Sequence, residues 1–141
     1  IGTEEEILAA TLIDSSQVTI KEQQISAPEI KGDIDLSIKQ LLSSGIETLI
    51  VKRGEKGASI YQKEGSREDV PGFPVKVLNV LGAGDAFASG FLYGVLQGWD
   101  LKKACRMGNA IGAQVVTKKG CANFMPTLEE SMDFIAQKGG F

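Results

Sequence analysis

The part of the sequence with the clearest chemical character is a glycine-rich segment, Asn79–Gly90. Within it, Gly82, Ala83 and Gly84 have little or no side chain, so a ligand could touch their backbone N–H groups. The pattern predicts an extended segment that turns into a helix here, and these N–H groups would then be unpaired amides at a helix start, where the helix dipole favours negative charge. The segment therefore predicts a cradle for a phosphate group or an oxyanion.

Asp85 follows these small residues and would lie at the mouth of the cradle. A carboxylate is a poor ligand for phosphate because like charges repel, but it is suited to taking a proton from a hydroxyl group that attacks phosphorus. Such general-base assistance raises a rate by about 10²–10⁴-fold, while the cradle would stabilise the developing charge. The alternative is a glycine-rich turn in which Asp85 only caps the helix, and the Gly-x-Gly-Asp pattern alone favours neither.

Two common nucleotide-binding motifs do not fit this segment. The Walker pattern needs Gly-x-x-x-x-Gly-Lys-Ser/Thr, which the sequence lacks. The dinucleotide pattern Gly-x-Gly-x-x-Gly would need glycine in place of Phe87. The segment is therefore a different kind of glycine-rich loop.

A second polar group follows a predicted buried strand, Ile46–Lys52. Its members are Lys52, Arg53, Gly54, Glu55, Lys56 and Gly57. A solvated surface cluster is one interpretation and contact with a nucleotide is the other. The position directly after an apolar strand, with glycines between the charges, favours phosphate or nucleotide contact.

Helices and strands alternate along the chain and must position these groups. Capping patterns predict helices after Thr3 (residues 4–13), Asp33 and Thr127, and two glycine-containing helices are expected near 84–98 and 101–116. Strands are predicted around Val18–Ile20, at Ile46–Lys52, Ala58–Gln62 and Glu68–Val70, with an extended continuation through Val75, Val77 and Val80. This alternation indicates a layered α/β fold.

The two glycine-containing helices share a spacing of small residues. Every fourth position is small, at Ala86, Gly90 and Gly94 in one and at Ala104, Gly108 and Gly112 in the other. Glycine in a helix interior costs about 1 kcal/mol relative to alanine. Close packing of the two backbones is the expected compensation.

Composition excludes several classes of protein. The 141 residues suit about one domain, and a net charge of −3 without a basic block argues against a nucleic-acid partner. No apolar run reaches the roughly 20 residues of a membrane span. With no histidine and two distant cysteines, histidine-based triads and the usual zinc sites are excluded, and unpaired thiols suit the cytoplasm. The first residues carry neither Met nor a leader pattern, as expected inside a longer or processed chain.

The segment Asn79–Leu92 resembles the C-terminal signature of the ribokinase (PfkB) family of sugar kinases. That signature has an aspartate after a Gly-Ala-Gly-type loop, then three free positions and two small residues, here Ser89 and Gly90. The resemblance implies a ribokinase-like three-layer α/β/α fold, Rossmann-like, of which residues 1–141 would form the C-terminal nucleotide-binding part. It implies ATP-dependent phosphorylation of a sugar or sugar acid, with Asp85 as the general base and Gly82–Gly84 as the anion hole.

Three other stretches extend the resemblance. Val51–Ala58 is similar to the family's nucleotide loop, and Met107–Ala110 resembles the helix that contacts adenine, which would put Asn109 near the base. Glu5 matches the glutamate of the family's Asn-x-x-Glu element, which helps to organise Mg²⁺ through water. Gly2 stands in place of that asparagine.

The monovalent-cation site of the family is represented incompletely. Asn79 stands where many members have an aspartate near a potassium-type ion. If K⁺ binds, the resemblance makes the backbone carbonyls around Val115, Lys118 and Gly120 its expected ligands.

The resemblance also implies partners and a subfamily. ATP, a small sugar or sugar-acid substrate and the N-terminal half of such a kinase are expected, and an unpaired sheet edge predicts self-association, as a homo-oligomer or otherwise. Three stretches resemble the bacterial 5-dehydro-2-deoxygluconokinase subfamily of inositol breakdown: Asn79–Ala88, Gly98–Asp100 and Gly120–Thr127. The alternative is a truncated or non-catalytic nucleotide-binding module of the same fold.

Overall fold

The computed structural model describes residues 1–14, 16, 18–19, 29–120 and 122–141. These residues form two compact units. The first unit consists of Ile1–Arg53 and Ser59–Glu68, and the second of Gly54–Ala58 and Asp69–Phe141.

The first unit is built on a sheet with the strand order β1-β4-β5-β6. Its strands are β1 (Gly2–Thr3), β4 (Thr48–Lys52), β5 (Ala58–Gln62) and β6 (Arg67–Val70), of which Ala58 and Asp69–Val70 belong to the second unit. β1 pairs in parallel with β4, Gly2 opposite Val51 and Thr3 opposite Lys52. The predicted buried parallel strand is thereby confirmed, from Thr48 rather than Ile46.

Two helices pack on this unit, α1 (Glu4–Ala10) and α2 (Ile34–Ser43). Their apolar faces bury a cluster against β4 that consists of Ile7, Ile38, Leu42, Leu49 and Val51. A separate antiparallel pair, β2 (Val18–Thr19) and β3 (Glu29–Ile30), sets Val18 opposite Ile30. Ile20, the last residue of the strand predicted there, lies outside the described residues.

The predicted helix starts are confirmed. At α1 the Thr3 amide donates to Glu6 Oε2 over 2.6 Å and the Glu6 amide donates to Thr3 Oγ1 over 3.2 Å, which completes a capping box. α1 ends at Ala10, earlier than expected. Thr11 is its C-cap residue: its amide donates to the Leu8 carbonyl over 3.1 Å, and its hydroxyl lies 2.7 Å from Ser37 Oγ on α2.

The second unit contains α3 (Ala83–Leu96), α4 (Leu101–Val115) and α5 (Leu128–Gln137). Thr127 and Glu130 form the predicted capping box of α5. The core of the unit includes Phe73, Ala86, Met107, Ala110, Ile111, Val115 and Ile135. Two short 3₁₀ turns, Gly54–Lys56 and Ala122–Phe124, were not expected from the sequence.

The helices α3 and α4 pack backbone to backbone, as their small residues predict. A Cβ added to Gly94 would lie 2.8 Å from the Cα of Ala104, and one added to Gly108 would lie 2.8 Å from the carbonyl oxygen of Phe87. No larger residue fits at either position without moving a helix.

The predicted extended continuation through Val75, Val77 and Val80 joins no sheet, because residues 71–80 belong to no strand of the described structure. Their described backbone bonds go elsewhere: the amides of Leu78 and Asn79 both donate to the carbonyl of Val116, over 2.7 and 3.2 Å. None of the helices in the described ranges is long and apolar enough to cross a membrane.

Candidate active site

The glycine-rich loop begins α3, as the sequence predicts. Gly82 is the N-cap residue, with φ 81° and ψ −2°, in the left-handed region that costs a residue with a side chain about 1–2 kcal/mol. The first helical hydrogen bond runs from the Ala86 amide to the Gly82 carbonyl over 2.9 Å. The amides before Ala86 are the ones that α3 itself cannot satisfy.

Only some of these amides are available to a ligand. The Ala83 amide donates to the carbonyl of Val80 over 3.2 Å and is engaged within the turn. The amides of Gly82, Gly84 and Asp85 have no acceptor in the part of the chain that the structure describes. The amides of Gly82 and Gly84 could therefore donate to a ligand without breaking a bond of the described chain, whereas the Ala83 amide could do so only if its bond to Val80 opened. All three donor roles stay predictions.

Asp85 is exposed and lies in the first turn of α3. It occupies the third helical position, the one at which Glu6 and Glu130 close the capping boxes of α1 and α5. At α3 the N-cap has no side-chain cap bond, and across the described residues the Asp85 carboxylate has no partner. This geometry favours an outward-facing base over the alternative of a helix cap.

Asn79 links this loop to the segment after α4. Its Nδ2 donates to the Gly120 carbonyl over 3.1 Å, and its Oδ1 accepts from the Leu81 amide over 3.1 Å. Of the other predicted cation ligands, Val115 is buried and its carbonyl accepts from the Lys118 amide over 3.1 Å. The four residues thus occupy neighbouring positions of the second unit, and their role in holding K⁺ stays a prediction.

Residues 54–57 of the predicted nucleotide loop form a tight turn in the second unit. Gly54, Glu55 and Lys56 are exposed, and the Gly57 amide donates to the Gly54 carbonyl over 3.0 Å. Gly57 has a φ of 89°, and a Cβ there would overlap the Val70 carbonyl oxygen and the Gly72 amide nitrogen. Backbone packing against residues 70–72 therefore fixes the loop and leaves its charged side chains in solvent.

Asn109 is buried, with 8% of its surface exposed. Its Nδ2 donates to the carbonyls of Val70 and Pro71, both over 3.1 Å. Since both amide hydrogens are used to hold the segment that supports Gly57, only its Oδ1 remains for an adenine amino group. The predicted contact with the base stays a prediction.

Arg106 is a supporting residue that the sequence reasoning missed. Its guanidinium donates to the carbonyls of Pro71, Gly72 and Gly140 over 2.8–3.4 Å and lies 3.5 Å from the centre of the Phe73 ring. Burial lowers the pKa of this guanidinium from its usual value. The position of Arg106 one turn before Asn109, on the same side of α4, was the available signal.

Two basic residues of the predicted nucleotide loop, Lys52 and Arg53, are paired with acidic residues of α1. Lys52 Nζ lies 3.4 Å from Glu6 Oε2 and Arg53 Nε lies 3.6 Å from Glu4 Oε1. The Thr3 amide, and secondarily Lys52, hold the pKa of Glu6 below its usual value. Phosphate contact by Lys52 or Arg53 stays a prediction and would compete with these half-exposed pairs.

Glu5 is exposed in the first turn of α1, between the two paired glutamates. Within the described ranges no three acidic or thiol side chains gather as a metal cluster. A single carboxylate nevertheless fits Mg²⁺, which usually keeps several waters and binds one or two carboxylates together with substrate phosphates. The water-mediated role of Glu5 stays a prediction.

Comparison with known proteins defines the class first. The α/β fold is that of ribokinases: the chain is similar to the ribokinase of Thermotoga maritima, with a TM-score of 0.70 and 29% identity over 74% of this chain and 35% of that one. It is also similar to an Escherichia coli protein described as a ribokinase II, solved with ATP and Mg²⁺, with a TM-score of 0.70 and 32% identity over 76% of this chain and 34% of that one. The predicted fold class is thereby confirmed.

The family follows from the sequence. The pattern described as pfkB family carbohydrate kinase matches residues 6–128, and the chain belongs to that family. A curated relative is the 5-dehydro-2-deoxygluconokinase of Clostridium botulinum (strain Alaska E43), which is 38% identical over 108 residues, covering 77% of this chain and 32% of that protein. The chain thus spans about a third of the length of the curated relatives that it matches.

Proposed function

We propose that this chain is the C-terminal nucleotide-binding part of a kinase that transfers the γ-phosphoryl group of ATP to a primary hydroxyl of a sugar or sugar acid. The observation that carries the proposal is the position of Asp85. Its carboxylate is exposed and unpartnered within the described chain, in the same first turn of α3 as the helix-start amides of Gly82 and Gly84. Membership of the pfkB family supports the reaction class.

The proposed step moves one proton and one phosphoryl group. Asp85 takes the hydroxyl proton as the sugar oxygen forms a bond to the γ-phosphorus, and the bond from that phosphorus to the β–γ bridging oxygen breaks to release ADP. The amides of Gly82 and Gly84 stabilise the negative charge that develops on the transferring group. Glu5 would hold Mg²⁺ through water, and the ion would neutralise part of the phosphate charge.

The nucleotide would lie along the exposed turn Gly54–Lys56, with Lys52 and Arg53 as further phosphate ligands and Asn109 beside the base. Two features support this assignment: the turn is held by backbone packing against residues 70–72, and the E. coli neighbour was solved with ATP and Mg²⁺. Such a rigid turn offers its amides without an ordering cost at binding.

The specific substrate that we propose is 5-dehydro-2-deoxy-D-gluconate, and the cytoplasm is the expected compartment. The support is the name of several curated relatives, of which three are 38% identical to this chain. The two structural neighbours described above bear the name of ribokinases, so the fold itself does not select this substrate.

A second candidate function is a nucleotide-binding module that does not transfer phosphate. The observation in its favour is that the chain spans about a third of its curated relatives. Calorimetry with ATP and a coupled kinase assay on the full-length encoded protein separate the two. Binding without turnover supports the module.

The test of the proposed reaction is Asp85→Asn in the full-length encoded protein. We expect turnover of 5-dehydro-2-deoxygluconate with ATP to fall by about 10²–10⁴-fold, while the dissociation constant of ATP changes little, because the variant loses only the base. Asp133→Asn is the matched control, since Asp133 is an exposed aspartate on α5. Turnover by Asp85→Asn at the wild-type rate would remove Asp85 from its role. Faster turnover of ribose than of the sugar acid would replace the substrate and keep the reaction.

A further inference from the structure

Asn79 joins two segments of the second unit that are 41 residues apart in sequence. Its Nδ2 donates to the Gly120 carbonyl and its Oδ1 accepts from the Leu81 amide, each over 3.1 Å. The bond to Leu81 is an Asx turn, in which an asparagine side chain folds the backbone two residues ahead. One planar amide group thus shapes the segment that leads to Gly82, residues 77–81, and anchors this segment to the chain after α4.

Within the described part of the chain, core packing holds little of the segment formed by residues 77–81. Four of its apolar side chains are largely exposed: Val77 (51%), Leu78 (54%), Val80 (72%) and Leu81 (65%). The backbone bonds of Leu78 and Asn79 to the Val116 carbonyl, together with the side chain of Asn79, are its described polar anchors. With so little buried apolar surface, these hydrogen bonds decide where the loop lies.

We infer that Asn79 is a positioning residue of the proposed phosphoryl transfer, which sets the helix-start amides of Gly82 and Gly84 through its bonds to Leu81 and Gly120. This inference rests on the proposed function. Donors that stabilise a transition state act only when they are fixed in advance, and a displacement of about 1 Å costs on the order of 10²-fold in rate. Asn79 touches neither substrate nor nucleotide in this role.

The two bonds need an amide and not a carboxylate. Asparagine offers one acceptor and one donor group, whereas an ionised aspartate offers acceptors only. Asp at position 79 would keep the bond from the Leu81 amide but would place an oxygen against the Gly120 carbonyl oxygen. Asn79→Ala would lose both bonds, whereas Asn79→Asp would lose only the bond to Gly120. The two variants therefore distinguish the effect of the Asx turn from that of the link to Gly120.

The inference shares one atom with the predicted K⁺ site, and a carbonyl oxygen with two lone pairs can both accept this hydrogen bond and bind an ion. The Gly120 carbonyl oxygen that accepts from Asn79 is one of the oxygens expected to bind the ion. If the amide acts as the anchor and not through an ion, the Asn79 variants should lose kcat by the same factor in potassium and in tetramethylammonium salts.

The experiment compares Asn79→Ala and Asn79→Asp in the full-length encoded protein. Gln40→Glu makes the same amide-to-carboxylate change at an exposed position of α2 and is the control. We expect both Asn79 variants to lose about 10–100-fold in kcat, with little change in the KM for ATP and with cooperative thermal unfolding retained. Hydrogen exchange should accelerate in peptides covering 78–84 and 116–120 in Asn79→Ala. In Asn79→Asp, exchange should accelerate at 116–120 while the Leu81 amide stays protected.

Three results would overturn the inference. These are kcat values within twofold of wild type for both Asn79 variants, unchanged exchange in the two peptides, or a wild-type K⁺ requirement that Asn79→Ala abolishes. The proposed function fails in a different way, by the absence of phosphoryl transfer from the wild-type protein. In that case hydrogen exchange at 78–84 and 116–120 still tests whether Asn79 holds the loop, but Asn79 loses its role as a positioning residue for catalysis.

Discussion

At the scale of single residues, two glycines of the same turn differ in what surrounds them. Gly54 and Gly57 both have positive φ, 58° and 89°. A side chain at Gly54 would meet open space, whereas one at Gly57 would overlap the backbone of Val70 and Gly72. The pair therefore separates the cost of left-handed geometry from the cost of lost backbone packing.

We predict that Gly54→Ala lowers the free energy of unfolding by about 1 kcal/mol, the cost of a left-handed residue with a side chain. Gly57→Ala should lose about 2–4 kcal/mol, because overpacking adds roughly 1–3 kcal/mol to the same conformational cost. Urea denaturation at a fixed protein concentration measures both values. Equal losses in the two variants would show that Gly57 does not pack on residues 70–72.

The sequence predicted single residues well where the signal is local. Asp85 follows the helix start at the expected distance, and the Thr3–Glu6 capping box forms because its bonds span only three residues. It did not predict that the Ala83 amide is engaged or that both hydrogens of the Asn109 amide hold the Val70 and Pro71 carbonyls. These facts depend on how a turn closes and on partners 38–39 residues away.

At the scale of elements, the close approach of α3 and α4 yields a matched pair of substitutions on one helix face. A Cβ at Gly108 would lie 2.8 Å from the Phe87 carbonyl oxygen, but one at Gly112, a turn later, would lie 3.5 Å from the Ala83 carbonyl oxygen, an ordinary contact. Neither glycine has a positive φ. Alanine is therefore excluded by its neighbour at one position and accommodated at the other.

We predict that Gly112→Ala stabilises the protein by up to about 1 kcal/mol, through the higher helix propensity of alanine. Gly108→Ala should destabilise it by about 1–3 kcal/mol, since the overpacking outweighs that gain. Thermal and urea unfolding of both variants, with circular dichroism to confirm that helix content is retained, measure the difference. The same sign of change in the two variants would contradict the helix packing described here.

The elements that the sequence predicted are the ones with strong periodic or capping signals. α3, α4 and β5 begin and end within about two residues of expectation, and α2 and α5 begin directly after their predicted caps, since small-residue spacing and caps are local patterns. β1 was missed because two residues carry no period, and it forms only through its pairing with β4. Residues 71–80 resembled a strand in composition, but the amides of Leu78 and Asn79 bond to Val116 and no strand forms.

At the scale of the whole molecule, α3 presents an apolar face that nothing in the described chain covers. Leu92 is 51% exposed, Val95 42% and Leu96 83%. Leu92 and Leu96 are four residues apart and therefore share one side of the helix, with Val95 beside them. Exposed apolar patches of this kind usually mark a surface that packs against another part of a protein.

The isolated 141-residue chain should therefore associate with itself, since burial of apolar surface yields roughly 25 cal/mol per Å². We predict that its mass by light scattering rises with concentration over the micromolar range, and that Leu92→Gln combined with Leu96→Gln reduces this rise. Met132→Gln on α5, where Met132 is 39% exposed, is the control and should leave the mass curve unchanged. A mass of one chain at every concentration, or equal association by the double variant and the wild type, would show that this face of α3 does not drive association.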